Sequence, residues 1–228
     1  AIAAENFIFG LNELTGEGAY AGTAPNDLTE ALEAEMVERA RAQVSGMPQG
    51  TPIEVSIEDA GSAWAKGAYR VTFTASEGGT TVSATVTMTV FDYVSPIDPD
   101  GTGYVMASNN FRASEAEATR GSSEALTNAD FIQRGQVCVY SENDLQTPVS
   151  SYETGGAYIT ASDTSKFYGR KAGEDASVGY TYTSAPGVTA ISQVTIYKGG
   201  TSNPDAGLEI FASDIYAKTS DVEANADN

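Results

Sequence analysis

Three stretches in the first half of the chain alternate apolar and polar residues, as strands with one buried face do. They cover residues 53–57, 69–74 and 82–90, where every second side chain is Val, Ile, Phe, Tyr, Met or Ala. Gly78 and Gly79 lie between the second and third stretch. Because glycine adopts positive φ without strain, this pair predicts a hairpin turn.

A helical period comes before these strands. Apolar residues recur at spacings of three and four at the positions Leu28, Leu32, Met36, Val37, Ala40 and Val44. This spacing predicts an amphipathic helix laid on a sheet, with Asn26 or Asp27 as its N-cap. Gly46 and Pro48 are predicted to end it.

The second half of the chain repeats this order. A helix is predicted to begin at Thr127, with Asp130 in the capping-box position, and strands are predicted near 136–141, 157–161, 177–184 and 188–197. Val194 and Ile196 lie 108 positions after Val86 and Met88. The repeat therefore includes the closing hairpin.

A short signature marks the start of each repeat. It occurs at 3–7, 107–111 and 212–216, and Phe7 and Phe111 are 104 positions apart (111 − 7). Pro-, Gly- and Asp-rich stretches separate the repeats. We predict module 1 at 1–95, a linker at 96–103, module 2 at 104–198, a linker at 199–207, and an opening strand of a third repeat or a tail at 208–228. Residues 218–228 are expected to lack ordered structure unless 208–216 docks on module 2.

The charge balance excludes some partners. The chain contains twelve Lys and Arg residues and 31 Asp and Glu residues, which gives a net charge of −19. Such a chain repels phosphate backbones and anionic lipids, so we expect neither nucleic-acid nor membrane-surface binding. No apolar run approaches the length of a membrane span. No signal peptide precedes Ala1, so we expect a mature or excised piece of an exported protein.

The residues for common catalysis are missing. His is absent, which removes Ser-His-Asp and Cys-His arrangements, and no Gly-rich phosphate loop opens a helix. We therefore predict that the protein is not an enzyme and has no catalytic or cofactor-binding residues. Cys138, the only cysteine, alternates with Val137 and Val139, which is typical of a quiet buried thiol. A reactive thioester with a glutamine is the alternative.

Calcium is the only cofactor with candidate ligands. Asp98, Asp100 and Asp205 lie in the predicted linkers, where carboxylate oxygens could stiffen a joint. Their spacing does not match an EF-hand. Acidic turns are common in loops, so a solvated turn without a metal is the competing interpretation.

Two further features have a structural and a functional interpretation. Five lysines could form cross-links to Asn or Asp in place of disulfides, namely Lys66, Lys166, Lys171, Lys198 and Lys218. None of them lies on an apolar strand face. Trp64 and the tyrosines could form a sugar-binding platform, although core packing is the better interpretation for Tyr180 and Tyr182.

The motifs resemble the tandem bacterial Ig-like modules of Gram-positive wall-anchored surface proteins. The resemblance rests on an Ala-x-Asn-Phe type of opening strand at 107–111, a Leu-Thr-x-x-Asp helix start at 126–130 and a Tyr-x-Val-Thr-Phe-Thr strand at 69–74. It implies a mainly β protein with two tandem Ig-like β-sandwich modules, each with a short helix inserted early. It implies no active site.

We therefore expect a non-enzymatic structural or presentational repeat of an exported bacterial surface protein, with adhesion as one expected role. Its localisation would be extracellular, at the cell wall. Its expected partners are a host or cell-surface protein or glycan. The alternatives are a carbohydrate- or protein-binding module, and a filament or capsid subunit that uses its C-terminal segment as an added strand.

Overall fold

The computed structural model describes residues 1–58, 60–96, 103–114, 116–117, 122–124, 126, 128–156, 177–181, 193–197, 208–210, 212 and 215–216. The chain divides into two compact units. Unit 1 contains Ala1–Val94 and Asn143–Thr147, and unit 2 contains Ser95–Glu142 and Pro148–Asn228. The described residues are mainly β, which confirms the predicted fold class at this level. The Ig-like sandwich form of each module stays a prediction.

Unit 1 is built on a four-stranded mixed sheet. Its strands, in spatial order, are β2 (Phe7–Gly10), β6 (Thr80–Phe91), β5 (Gly67–Glu77) and β4 (Glu54–Ile57). β2 runs parallel to β6, and the other neighbours are antiparallel. The alternating pattern predicted β4, β5 and β6 correctly. A separate antiparallel pair joins β1 (Ile2–Ala3) to β3 (Gln43–Val44).

The hairpin between β5 and β6 has the predicted turn. Glu77 pairs with Thr80, which leaves Gly78 and Gly79 as a two-residue loop with φ of 57° and 83°. Positive φ at both positions is the conformation that fits the twist of the flanking strands. On the exposed face, Thr72 and Thr85 share a hydroxyl hydrogen bond of 2.8 Å.

The helices of unit 1 differ in extent from the prediction. α1 (Leu11–Leu14) directly follows β2, and α2 (Glu30–Arg39) is the main helix. The cap is Thr29, whose side chain accepts from Leu32 N, so the prediction of Asn26 or Asp27 was wrong. The predicted stop was also wrong, because Arg41 adopts φ of 49° and the chain leaves the helix before Gly46.

The core of unit 1 lies between α2 and the sheet. Leu32 and Met36 of α2 are fully buried against inward-facing residues of every strand, which are Phe7, Phe9, Val55, Val71, Phe73, Met88 and Val90. Burial of each large apolar side chain contributes about 2 kcal/mol to folding. This apolar face, rather than local propensity, holds a helix of ten residues in place.

A later segment of the chain completes unit 1. In the segment Asn143–Thr147, the Gln146 side chain donates from Nε2 to the carbonyl of Arg39 at 2.7 Å. Arg41 donates from Nη2 to the carbonyl of Asn143 at 2.6 Å. The segment therefore satisfies carbonyl and guanidinium groups at the end of α2.

Unit 2 contains its own sheet and helix. The sheet has the order β12 (Gly155–Gly156), β11 (Ser150–Ser151), β10 (Cys138–Ser141), β8 (Tyr104–Ser108) and β7 (Tyr93–Pro96), of which Ser95 and Pro96 belong to unit 2. α3 (Asn128–Arg134) precedes β10, as predicted for the second helix. Thr127, at which this helix was predicted to begin, lies outside the described residues, as do the strand predicted at 157–161 and residues 97–102 and 199–207 of the predicted linkers.

Five further strands of unit 2 form two small sheets, one of three strands and one of two. β13 (Ser177–Thr181) pairs antiparallel with β14 (Gln193–Tyr197), and β14 also pairs with β16 (Ile215–Tyr216). β9 (Phe111–Ala113) pairs antiparallel with β15 (Leu208–Ile210). Val178 pairs with Ile196 as Tyr69 pairs with Met88 in unit 1. Each unit thus contains an antiparallel pair where the sequence predicts a closing hairpin.

Candidate functional site

The predicted calcium ligands are not brought together by any described contact. Asp98, Asp100 and Asp205 all lie outside the described residues, so their role stays a prediction. Within the part of the chain that the structure describes, no group of three His, Cys, Asp or Glu side chains could hold a metal ion. Within the same part, no helix is long and apolar enough to cross a membrane.

Cys138 is enclosed in the middle of the sheet of unit 2. It pairs with Ala107 on one side and Ser151 on the other, and it is 5% exposed. Burial raises the pKa of its thiol to about 11, against a smaller lowering by a hydrogen bond from the backbone of Tyr152. A thiol in this environment is protonated at neutral pH and is a poor nucleophile. Gln136, the nearest glutamine in sequence, accepts a hydrogen bond from Asn109 Nδ2 at 2.7 Å.

Lys66 is the one candidate cross-linking lysine among the described residues. Its Nζ lies 2.8 Å from Asp92 Oδ2. The lysine side chain is 47% exposed and the aspartate side chain 14% exposed. The pair is therefore a half-exposed ion pair of modest strength. A covalent link between the two stays a prediction.

Trp64 belongs to the core of unit 1. It is buried, its Nε1 donates to Thr23 Oγ1 at 3.3 Å, and its ring meets Tyr69 edge to face at 5.5 Å. Tyr69 is held in turn by hydrogen bonds to the backbone N and O of Ala65. A sugar platform needs an exposed ring face, so Trp64 has the packing role.

A half-buried arginine in unit 1 has several polar partners. Arg39, the last residue of α2, donates from Nη2 and Nη1 to the two oxygens of Glu13 at 2.8 and 3.1 Å. Its Nε donates to Glu35 at 2.6 Å, and Nη1 also donates to the carbonyl of Ile8 at 3.2 Å. Its carbon Cζ lies 3.8 Å from the centroid of the Phe9 ring. The arginine therefore joins β2, α1 and α2 through one guanidinium.

One guanidinium pairs with two carboxylates in this cluster. Burial alone would lower the pKa of Arg39, but hydrogen bonds and attraction to Glu13 and then Glu35 outweigh it and raise that pKa. Glu13 Oε2 also accepts from Gly10 N at 2.7 Å. The fork geometry of arginine matches a carboxylate in this way. The guanidinium holds β2 to α2, and these contacts occupy four of its five N–H donors.

Unit 2 contains the same construction. Arg134, the last residue of α3, donates from Nη2 and Nη1 to the two oxygens of Glu117 at 3.1 and 3.3 Å. Its Nη1 also donates to the carbonyl of Arg112 in β9 at 3.0 Å, and Ser114 N donates to Glu117 Oε2 at 2.8 Å. Each contact has its counterpart in unit 1.

The backbone around the two arginines also matches. Arg41 and Gln136, both two residues past the arginine, share a φ of 49°. The amide after each donates back to the helix, from Ala42 N to Val37 O at 2.9 Å and from Val137 N to Ile132 O at 3.1 Å. Ala3 pairs with Gln43 as Ala107 pairs with Cys138. The two units are thus built on one local plan.

Sequence reasoning did not single out these arginine–glutamate pairs. Glu13 and Glu117 are 104 positions apart (117 − 13), but Arg39 and Arg134 are only 95 apart (134 − 39). The segment between glutamate and arginine is nine residues shorter in unit 2, so a search at one fixed period misses the pair. A signal was present in the local similarity of residues 38–44 to residues 133–139. In both stretches the second residue is Arg and the last residue is Val.

The C-terminal segment supplies strands to unit 2. β15 pairs with β9, β16 pairs with β14, and Ala212 N donates to Asn110 Oδ1 at 2.6 Å. Ile210 and Ala212 are each 1% exposed. The described residues 208–210, 212 and 215–216 therefore belong to the strands and contacts of unit 2, while the predicted tail at 218–228 lies outside the described residues.

Comparisons with known proteins add no relative. Neither a protein-family model, nor a curated protein, nor a solved structure matches this chain.

Proposed function

We propose that this chain is a non-enzymatic structural or presentational repeat of an exported bacterial surface protein. The observation that carries the proposal is the arginine–glutamate pair, which recurs in both units with the same backbone contacts. The resemblance to tandem surface-protein modules implies that the copies space or present a binding head. The motifs at 107–111, 126–130 and 69–74 add the resemblance to wall-anchored surface proteins.

The duplicated feature is a framework element rather than a site. The guanidinium of Arg39 is 12% exposed and is occupied by Glu13, Glu35 and the carbonyl of Ile8. Its effect is to fix β2 to the end of α2. A repeat that must keep its shape benefits from such a tie, whereas a catalytic arginine needs a donor aimed at substrate.

The Ig-like form of the modules is part of the same proposal. It is supported by the antiparallel hairpin of β5 and β6 and by the parallel pairing of the opening strand β2 with the closing strand β6. An experimental structure of the whole chain tests it. In unit 1 the described core lies between α2 and the four-stranded sheet, and β1 and β3 form a separate pair. The proposal requires that pair to belong to a second sheet packed face to face on the first, and an experimental structure without such a second sheet would contradict it.

Surface labelling tests the location. Antibodies raised against the purified protein are expected to label intact cells of the organism that encodes it, and brief protease treatment of those cells is expected to release its peptides. A cytoplasmic enzyme followed in the same sample is the control for lysis. Labelling only after permeabilisation would contradict an exported, wall-associated protein.

Binding to a partner is tested separately. The proposed partners are a host or cell-surface protein or a glycan, and a glycan array probed with the full chain is expected to show saturable binding if the module is adhesive. The matched control is the Trp64→Phe variant, because Trp64 is buried and its replacement should leave binding unchanged. Absence of any binding would leave the spacer role and remove the adhesive one.

A further inference from the structure

The strands that complete unit 2 come from a segment far along the chain. β15 contributes three residue pairs to β9, and β16 contributes two pairs to β14. Ile210 and Ala212 are almost fully buried, and Ala212 N donates to Asn110 Oδ1. The described residues of the segment, 208–210, 212 and 215–216, thus take part in the strand pairing and burial of unit 2.

The edge that receives β15 is filled differently in unit 1. There β2, the counterpart of β9, pairs in parallel with β6, the closing strand of its own hairpin. Asn6 Oδ1, the counterpart of Asn110 Oδ1, accepts from Thr87 N at 2.9 Å. The same edge therefore accepts a strand in either direction and from different parts of the chain, because backbone groups do the pairing.

We propose that residues 208–216 are an exchangeable donor segment, and that a second copy of this chain can supply them to β9 and β14. Exchange between copies would keep the pairing of the segment with β9 and β14, its burial and the Asn110 bond. Residues 198–207 join β14 to β15 in the sequence. This stretch has ten residues with three glycines, and extended it reaches about 33 Å.

Protein concentration and salt then decide whether the segment pairs within its own chain or with a second copy. Both arrangements contain the same strand pairs and the same buried side chains, so exchange is favoured at high protein concentration. The net charge of −19 repels copies from one another, so added salt is expected to raise the exchanged fraction. The inference needs the strand pairing only and is independent of the surface location.

Cysteine cross-linking of full-length chains tests the exchange. Arg112 and Glu209 are direct partners in the β9–β15 register. One protein carries Arg112→Cys and another Glu209→Cys, both in a Cys138→Ala background. They are unfolded in urea, mixed, refolded at high concentration and oxidised. We expect a disulfide-linked heterodimer, identified by intact mass, at several times the yield of the control mixture.

The control mixture pairs Glu209→Cys with Glu58→Cys, which places a half-exposed cysteine in unit 1, outside the β9–β15 pair, and measures random collision. A single chain with both Arg112→Cys and Glu209→Cys is expected to form an intrachain disulfide and so verifies the register. If that chain cross-links but the mixture yields no more heterodimer than the control, exchange does not occur. If it does not cross-link, the register and the proposal are both wrong.

Discussion

Unit 1 and unit 2 share an arginine–glutamate pair but protect it to different degrees. Arg39 is 12% exposed, with Glu35 and the ring of Phe9 beside it. Arg134 is 38% exposed, and by position Ala113 replaces Phe9 (9 + 104) and Asp130 replaces Glu35 (35 + 95). The fork between arginine and glutamate was kept while its surroundings changed. The geometry of the tie is thus more constant than its burial.

The largest effect is expected when the two arginines are removed in turn. Arg39→Met should lower the free energy of unfolding of unit 1 by about 3 kcal/mol, because it leaves two carboxylates without a cation in a partly buried place. Arg134→Met should cost unit 2 only about 1 kcal/mol, because its pair is more exposed. Urea unfolding measures both.

Each unit can be followed separately in that experiment. Trp64 is the only tryptophan and is buried in unit 1, so its fluorescence reports unit 1, while hydrogen exchange of β10 amides reports unit 2. Equal losses for the two variants would show that burial does not set the strength of the pair.

The second largest effect concerns β10 and its counterpart β3. Gln43 in β3 is exposed, whereas Cys138 at the same position of unit 2 is buried. A thiol pKa of about 11 leaves roughly a hundredfold less thiolate at pH 8 than a free cysteine has. Alkylation of Cys138 in the folded protein should be slower than that of a Gln43→Cys thiol by at least this factor. Similar rates would contradict the enclosed position of β10.

The signature asparagines give a smaller effect. Asn110→Ala removes the acceptor for Ala212 N and should cost about 1 kcal/mol, so β15 amides should exchange about five times faster. Asn6→Ala removes an exposed bond to Thr87 N and should change β6 exchange less. Hydrogen exchange followed by mass spectrometry compares them. Unchanged exchange of β15 in Asn110→Ala would mean that the asparagine does not hold the segment.

The smallest effect is a dependence on acid. A backbone hydrogen bond from Ser114, assisted by Arg134 and opposed by burial, lowers the pKa of Glu117 below its ordinary 4.5. The stabilisation is therefore complete above about pH 4.5 and is lost as the pH falls through the lower pKa of the folded state. Glu117→Gln should make unit 2 less stable at pH 7 and less sensitive to acid below pH 4. Parallel pH curves for variant and parent would contradict this linkage.

The hydrophobic period predicted the features that depend only on which side of a single strand or helix faces the core. β4, β5, β6 and the turn at Gly78 and Gly79 were predictable because alternation and positive φ are local properties. The end of α2 was not, because Ala40 and Val44 continue the helical spacing after Arg41 has turned the chain out of the helix. Tertiary pairing of β1 with β3 decided that point.

The arginine–glutamate pairs lay beyond such reasoning for another cause. Arg39 looks like a solvated residue on the polar face of an amphipathic helix, and only the fold brings it to Glu13, 26 positions earlier. The same holds for β15, whose three residues carry no sign of the strand they join. Long-range partners of this kind leave no period in the sequence.

The place of Asn143–Thr147 in unit 1 has a consequence for synthesis. The ribosome must add the residues from Ser95 to Glu142 before this segment can emerge. At common translation speeds that interval is roughly 2–10 s. Until then the nascent chain holds α2 with the carbonyl of Arg39 and the guanidinium of Arg41 hydrated instead of bonded to Gln146 and Asn143. Unit 1 therefore matures only after unit 2 has begun to leave the exit tunnel.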